Sequence, residues 1–135
     1  MGCQWIPRSA LAAVCAALVV GCGGDGGDEQ SARDVTQEYV QARNQGDAGK
    51  VCELYSDQLI QRLGASNCEA FVKEQTAGVA TSFTIVGVKE SGDHATATLR
   101  ATVTGGAAGG GRLRITLDRQ DGEWEITDLG NSAPD

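Results

Sequence analysis

The stretch His94-Ala95-Thr96-Ala97-Thr98-Leu99-Arg100-Ala101-Thr102-Val103-Thr104 alternates apolar and polar residues without a break. Successive side chains of a strand point to opposite faces. Ala95, Ala97, Leu99, Ala101 and Val103 therefore share an apolar face, with a threonine-rich face behind it. Leu113, Ile115 and Leu117 repeat the two-residue period, as do Trp124 and Ile126. An earlier strand is expected over Ser82 to Glu90. Turn residues separate these segments at Ser91-Gly92-Asp93, at Gly105 to Gly111 and at Arg119 to Gly122. Short turns between neighbouring strands dictate antiparallel pairing, so the C-terminal half reads as a four-stranded meander. In the last hairpin, a loop of two or four residues keeps Leu117 and Trp124 on one face, and a loop of three splits them.

Upstream the period changes from two to that of a helix. Ser31 and Asp34 have the spacing of an N-cap and its reciprocal acid. Ala32, Val35, Tyr39 and Ala42 then fall on one helical face, and Gly46 supplies a left-handed stop. Asp47 is placed to cap a second helix with Val51, Cys52, Leu54 and Tyr55 inward. Ser56 and Asp57 restart a turn carrying Leu59, Ile60 and Leu63, ended by Gly64. Ser66-Asn67-Cys68-Glu69 is a capping box for a third helix, with Phe71 and Val72 inward and Gly78 beyond its end. Three helices on the apolar face of an antiparallel sheet make an α+β domain. The small side chains of Ala95, Ala97 and Ala101 leave room for close helix packing or for a cavity.

This order of elements resembles the NTF2-like superfamily, the α+β cone shared by nuclear transport factor 2, ketosteroid isomerase and polyketide cyclases. The resemblance spans about Ser31 to Gly130 and is closest to small bacterial lipoproteins with DUF4878-type domains. It rests on Asn44-Gln45-Gly46-Asp47, on Val51-Cys52-Glu53-Leu54-Tyr55-Ser56 and on Asp121-Gly122-Glu123-Trp124-Glu125-Ile126. It implies a curved four-stranded antiparallel sheet with three N-terminal helices packed on it. Many relatives carry a short hairpin between the second and third helices, and only Asp57 to Ser66 is available for it here. In a cone of this kind Tyr39, Tyr55, Phe83 and Trp124 would line or fill the cavity. The polar sheet face is often a dimer surface in such proteins.

At the N-terminus, Ala10 to Gly21 are twelve small or apolar residues, ending in Val19-Val20-Gly21-Cys22. Twelve helical residues span only ~18 Å, too short for a hydrocarbon core of ~30 Å. The run follows Arg8 and ends at a small-residue site, the layout of a secretory signal. Val19 to Cys22 looks like a bacterial lipobox, which implies cleavage before Cys22 and acylation of its sulfur. Residues 1–21 are then a lipoprotein signal peptide and 22–30 a Gly/Asp-rich tether. The folded domain covers 31–130, and 131–135 form a tail. A tether of this length has a reach of roughly 16 Å. The expected location is the outer face of the bacterial cell membrane.

The 135 residues carry a net charge of −7 with one histidine and five cysteines. Losing residues 1–21 removes one arginine and no acid, so the excess becomes −8. That balance argues against nucleic acid as a partner. Cys3 and Cys15 leave with the leader. Once Cys22 is acylated, Cys52 and Cys68 remain, and an oxidising compartment favours their pairing. The alternative is two buried thiols. No C-x-x-C is present, and two thiols with one distant histidine do not make a zinc set.

Catalytic signatures are weak. His94 lies at a turn-to-strand boundary beside Asp93, where an exposed turn histidine is expected. Gly105 to Gly111 lacks the Gly-Lys-Ser/Thr ending of a phosphate loop and precedes a strand. Arg100, Arg112 and Arg114 share the polar sheet face, with Glu123 and Glu125 expected to neutralise them. An isomerase would need an inward acid near Tyr39 or Tyr55. The strands offer none, and Asp57 and Glu53 are the helical candidates. No catalytic residue, cofactor or metal is therefore assigned. The first expectation is a non-catalytic domain holding a small apolar ligand, or a cell-envelope partner, in a cavity without charged residues. An isomerase- or cyclase-like enzyme and an interaction module using the polar sheet face, with homodimerisation, are the alternatives.

Overall fold

A computed structural model describes residues 30–64, 67–76, 81–104 and 111–131. The signal peptide, Cys22 and almost all of the tether lie outside these residues. So do Ser66, Gly78, most of the glycine loop after β2 and the tail beyond 131. Four helices precede four strands: α1 Ala32–Gln45, α2 Ala48–Glu53, α3 Asp57–Arg62, α4 Cys68–Thr76, β1 Thr81–Ser91, β2 His94–Val103, β3 Arg112–Gln120 and β4 Glu123–Asn131. The turn expected after Ser56 is thus a six-residue helix, α3. Its N-cap is Ser56, whose side chain accepts from the Leu59 N–H.

The caps explain where each helix starts. Ser31 and Asp34 close a capping box on α1. Gly46, at φ +72°, ends α1 and delivers Asp47 directly to the N-cap of α2. A side chain at that φ would be strained, so the tight α1–α2 turn requires glycine. Asn67, rather than Ser66, caps α4 among the described residues: its side-chain oxygen accepts from the Ala70 N–H at 3.2 Å.

The sheet is an antiparallel meander in the order β1-β2-β3-β4. Asp121 and Gly122 form the last loop with φ of 53° and 85°, opposite Gln120 paired with Glu123. Positive φ at both positions suits the right-handed twist of a two-residue hairpin, and it puts Leu117 and Trp124 on one face. Two register shifts bend the sheet. One falls between Ile85 and Gly87 of β1, leaving Val86 as the extra residue; the other sets Thr127 as the extra residue of β4. An extra residue reverses the inside–outside alternation beyond it. Phe83 and Ile85 face inward before the first bulge and Val88 after it. Trp124 and Ile126 face inward before the second and Leu129 after it. Val86 itself is 50% exposed.

The helices cover the inner face. Ala32, Val35, Tyr39 and Ala42 of α1 pack with Val51, Leu54, Tyr55, Leu59 and Val72 onto Ala95, Ala97, Leu99, Ile115, Leu117 and Ile126. Ala95 and Ala97 are completely enclosed, so their small size serves close helix approach. Thr36 is buried within this layer, its hydroxyl satisfied by the Ala32 carbonyl at 2.7 Å.

Both sheet edges are held by the helical layer. At β1 the Asn44 side chain donates to the Phe83 carbonyl at 3.0 Å and accepts from the Phe83 N–H at 2.7 Å. At β4, the Ser56 N–H donates to the Ile126 carbonyl at 2.9 Å and the Ile126 N–H to the Leu54 carbonyl at 2.8 Å. Tyr55 is thereby a one-residue parallel bridge to Ile126. Cys52 and Cys68 are disulfide-bonded with Cα atoms 6.0 Å apart, joining α2 to α4.

Asn44→Ala strands two backbone groups of Phe83 in a part-buried position. It should cost about 1–3 kcal/mol, read as a lower urea midpoint with unchanged slope. Cys52→Ala with Cys68→Ala opens a loop of sequence separation 16. The loss expected from chain entropy is ~3 kcal/mol. Adding reductant to the wild type should reproduce that loss and leave the double variant unaffected.

Candidate functional site

A cavity of about 420 Å³ opens between the helices and one end of the sheet. That end is made where β1 and β3 begin and β2 and β4 finish. Phe83, Ala101, Leu113 and Leu129 form the sheet wall, and Tyr39, Arg43, Leu63 and Gln75 form the helical wall. Gly111 and Arg112 complete the rim. The β4 bulge is what brings Leu129 to this wall. The Asn44 clamp is what holds Phe83 against the last turn of α1. The walls mix apolar side chains with the polar groups of Tyr39, Arg43, Gln75 and Arg112, and their charged members among the described residues are both arginines.

Arg43 is the unusual group. It lies four residues after Tyr39, so the helix carries it to the same inner stripe. Its Nε and Nη1 are buried and find no hydrogen-bond partner among the described residues. Its guanidinium carbon sits 5.1 Å from the centre of the Phe83 ring, a cation–π contact that offsets part of its desolvation. Beneath it the two tyrosines meet. Their hydroxyls are 3.5 Å apart and their ring centres 6.1 Å apart. Burial pushes the Tyr55 phenol far above the ordinary tyrosine range, and Tyr39 adds to the effect; the positive charge of Arg43 acts in the opposite sense. Tyr55 is therefore a fixed neutral hydroxyl and cannot serve as a base.

The four aromatics expected at a cavity divide. Tyr39 and Phe83 line it, and Tyr55 sits directly behind Tyr39. Trp124 is elsewhere, buried near the last hairpin with Arg119 5.4 Å from its ring centre. The expectation of a cavity free of charge is corrected by Arg43. An arginine in the last turn of a helix reads in sequence as a solvated complement to the helix dipole. Its four-residue spacing from Tyr39 was the signal that it turns inward.

The carboxylate needed for isomerase chemistry is not assembled. Glu53 and Asp57 are exposed, and no acid lines the cavity among the described residues. His94 is exposed and contacts Asp118 across the β2–β3 pair, Nδ1 to Oδ1 2.7 Å. The Asp118 carboxyl is held below its usual range chiefly by the Thr127 hydroxyl, with His94 contributing. This cluster faces away from the cavity.

On the outer face, the expected neutralisation of the arginines does not occur as drawn. Arg100 pairs with Arg112 in register, and Arg114 lies opposite Thr98 and Gly130. Glu123 and Glu125 lie opposite Gln120 and Asp118, toward the other end of β3. Arg112 and Arg114 instead border a groove of about 670 Å³ with Arg33, Val86 and Lys89. The register, fixed by the β4 bulge and the two-residue turn, separates the charges that simple alternation placed side by side.

No protein-family model and no curated protein sequence matches the chain. Solved structures do match in fold. A SEC-C motif containing protein from Rhodopseudomonas palustris aligns with a TM-score of 0.61 at 14% identity, over 76% of this chain and 80% of that one. An NTF2-like protein of unknown function from Cytophaga hutchinsonii aligns at 0.53 and 9% identity, over 79% and 95%. A DUF4783 family protein from Bacteroides ovatus aligns at 0.55 and 14%, over 76% and 94%. At such identities the likeness concerns architecture alone. Helices on a curved four-stranded antiparallel sheet, with solved counterparts of the same shape, give this chain the NTF2-like cone fold.

Proposed function

We propose that this chain is an exported lipoprotein, anchored through a lipid on Cys22, whose cone holds a small and mainly apolar ligand without transforming it. The cavity between Tyr39, Leu63, Phe83, Leu113 and Leu129 carries the reading. Its volume falls in the range of small-molecule sites, and its lining sets Leu63, Phe83, Leu113 and Leu129 beside the polar groups of Arg43, Gln75 and Arg112. Binding without chemistry is favoured because, among the described residues, the cavity lining brings no acid to the tyrosines. The anchor rests on the Val19-Val20-Gly21-Cys22 pattern after an uncharged apolar run, and the disulfide fits an oxidising compartment. The DUF4878-type assignment rests on the same sequence segments as the resemblance and on nothing further.

A second reading is docking of an envelope protein, or of a second copy, on the outer sheet face. The groove beside Val86 and the run of Arg100, Arg112 and Arg114 favour it.

Two measurements test the first reading. Grown with an alkyne-bearing fatty acid, cells should label the wild type and leave Cys22→Ser unlabelled and released from membranes. Equal labelling of both refutes the anchor. The purified protein should raise the fluorescence of N-phenyl-1-naphthylamine, a neutral apolar probe, in a saturable way. Ala101→Trp fills the cavity and should abolish that signal while the circular dichroism stays native. A folded Ala101→Trp that binds as well as wild type removes the cavity from the argument.

A further inference from the structure

The cavity wall carries a cation whose hydrogen-bond donors are incompletely satisfied. Burying N–H groups without acceptors is unfavourable, and burying an unpaired charge more so. Arg43 is half-buried and meets the first condition: Nε and Nη1 are enclosed and unpartnered, and no carboxylate lines the same cavity among the described residues. Phe83 offers a π face to the guanidinium but no acceptor. The second charged lining residue, Arg112, has the same sign. In a chain with 18 acids against 11 bases, a cavity whose charged lining is entirely basic runs against composition. A group that costs stability and lines a cavity is explained if something else completes it.

Resting on the ligand-binding reading above, we propose that the ligand is an amphiphilic carboxylate, its headgroup held by Arg43 and its apolar body by Phe83, Leu113 and Leu129. A guanidinium is a planar fork that matches a carboxylate with two parallel hydrogen bonds. One cation balances one negative charge, which favours a monoanion over a dianionic phosphate. Tyr39 lines the same cavity, and its hydroxyl is engaged with that of Tyr55. Leu63, Phe83, Ala101, Leu113 and Leu129 give the lining an apolar portion that fits a hydrocarbon or aryl body. The net negative charge of the chain slows encounter with any anion, so selectivity is set inside the cavity rather than by steering.

Octanoate and octanamide test this on the folded, oxidised chain by calorimetry and by NMR of the arginine Nε–H resonances. They share a chain and differ in charge. Wild type should bind octanoate about ten- to a hundredfold more tightly than octanamide, the range of a charge-assisted hydrogen bond. Octanoate should also shift the Arg43 Nε–H resonance and slow its exchange. Arg43→Met should bind the two equally and melt at a higher temperature than wild type, because two unsatisfied buried donors are gone. Arg43→Lys should keep part of the preference. Equal binding of both probes by wild type overturns the carboxylate inference and leaves the cavity reading intact. Binding of neither overturns both. An Arg43→Met protein that still prefers octanoate, or that melts lower than wild type, shows that Arg43 is a structural residue and ends the proposal.

Discussion

A four-stranded open sheet has two edges with unpaired backbone groups, and in this protein the helical layer takes hold of both. Asn44 presents one amide to both the N–H and the C=O of Phe83, so a single side chain stands in for a neighbouring strand. At the opposite edge, the stretch between α2 and α3 runs beside Ile126 as a one-residue strand. Arg62 adds a third contact, to the Thr127 carbonyl and the Asp128 carboxylate. Unsatisfied edges invite association with other chains, and covering them is a general protection. Here the coverings also tie α1 and the α2–α3 stretch to the two sides of the sheet, and the cavity lies between α1 and the wall of Ala101 and Leu113.

The bulges at Val86 and Thr127 supply the second condition. Each bends its strand and each re-aims the residues beyond it. Leu129 faces the cavity only because Thr127 is extra; on uninterrupted alternation from Trp124 and Ile126 it would point outward. Curvature and cavity lining thus come from the same two insertions. The outer face inherits the consequence: Val86 is exposed, and Arg112 and Arg114 lie away from Glu123 and Glu125.

Much of this was legible in the sequence where one local rule decides the outcome. The Ala95 to Val103 alternation, the inner face of α1, the Gly46 stop and the Asp121-Gly122 turn each follow from period or φ alone. So did the inner placement of Tyr39 and Phe83. The helix α3 read as a turn because six residues with one cap carry little periodic signal. Trp124 was placed on the correct face, but alternation reports the side of a sheet and not the position along it. Bulges, the Asn44 clamp and the inward turn of Arg43 depend on partners 39 or more residues away or on register, which no local window contains. Asn44 and Arg43 both look like ordinary last-turn residues until the strand they meet is in place.

The bond between Cys52 and Cys68 has a further consequence for how the chain matures. Beyond residue 22 the sequence contains only these two cysteines, so the oxidised domain has no spare thiol. The proposed processing leaves Cys22 as a third, odd sulfur at the head of the mature chain. An odd thiol in an oxidising compartment invites wrong partners and chain-to-chain crosslinks. Attaching a lipid to that sulfur before the domain oxidises removes it from exchange. Acylation at Cys22 would then act as a protecting group as well as an anchor, leaving one pairing available to the domain that folds behind it.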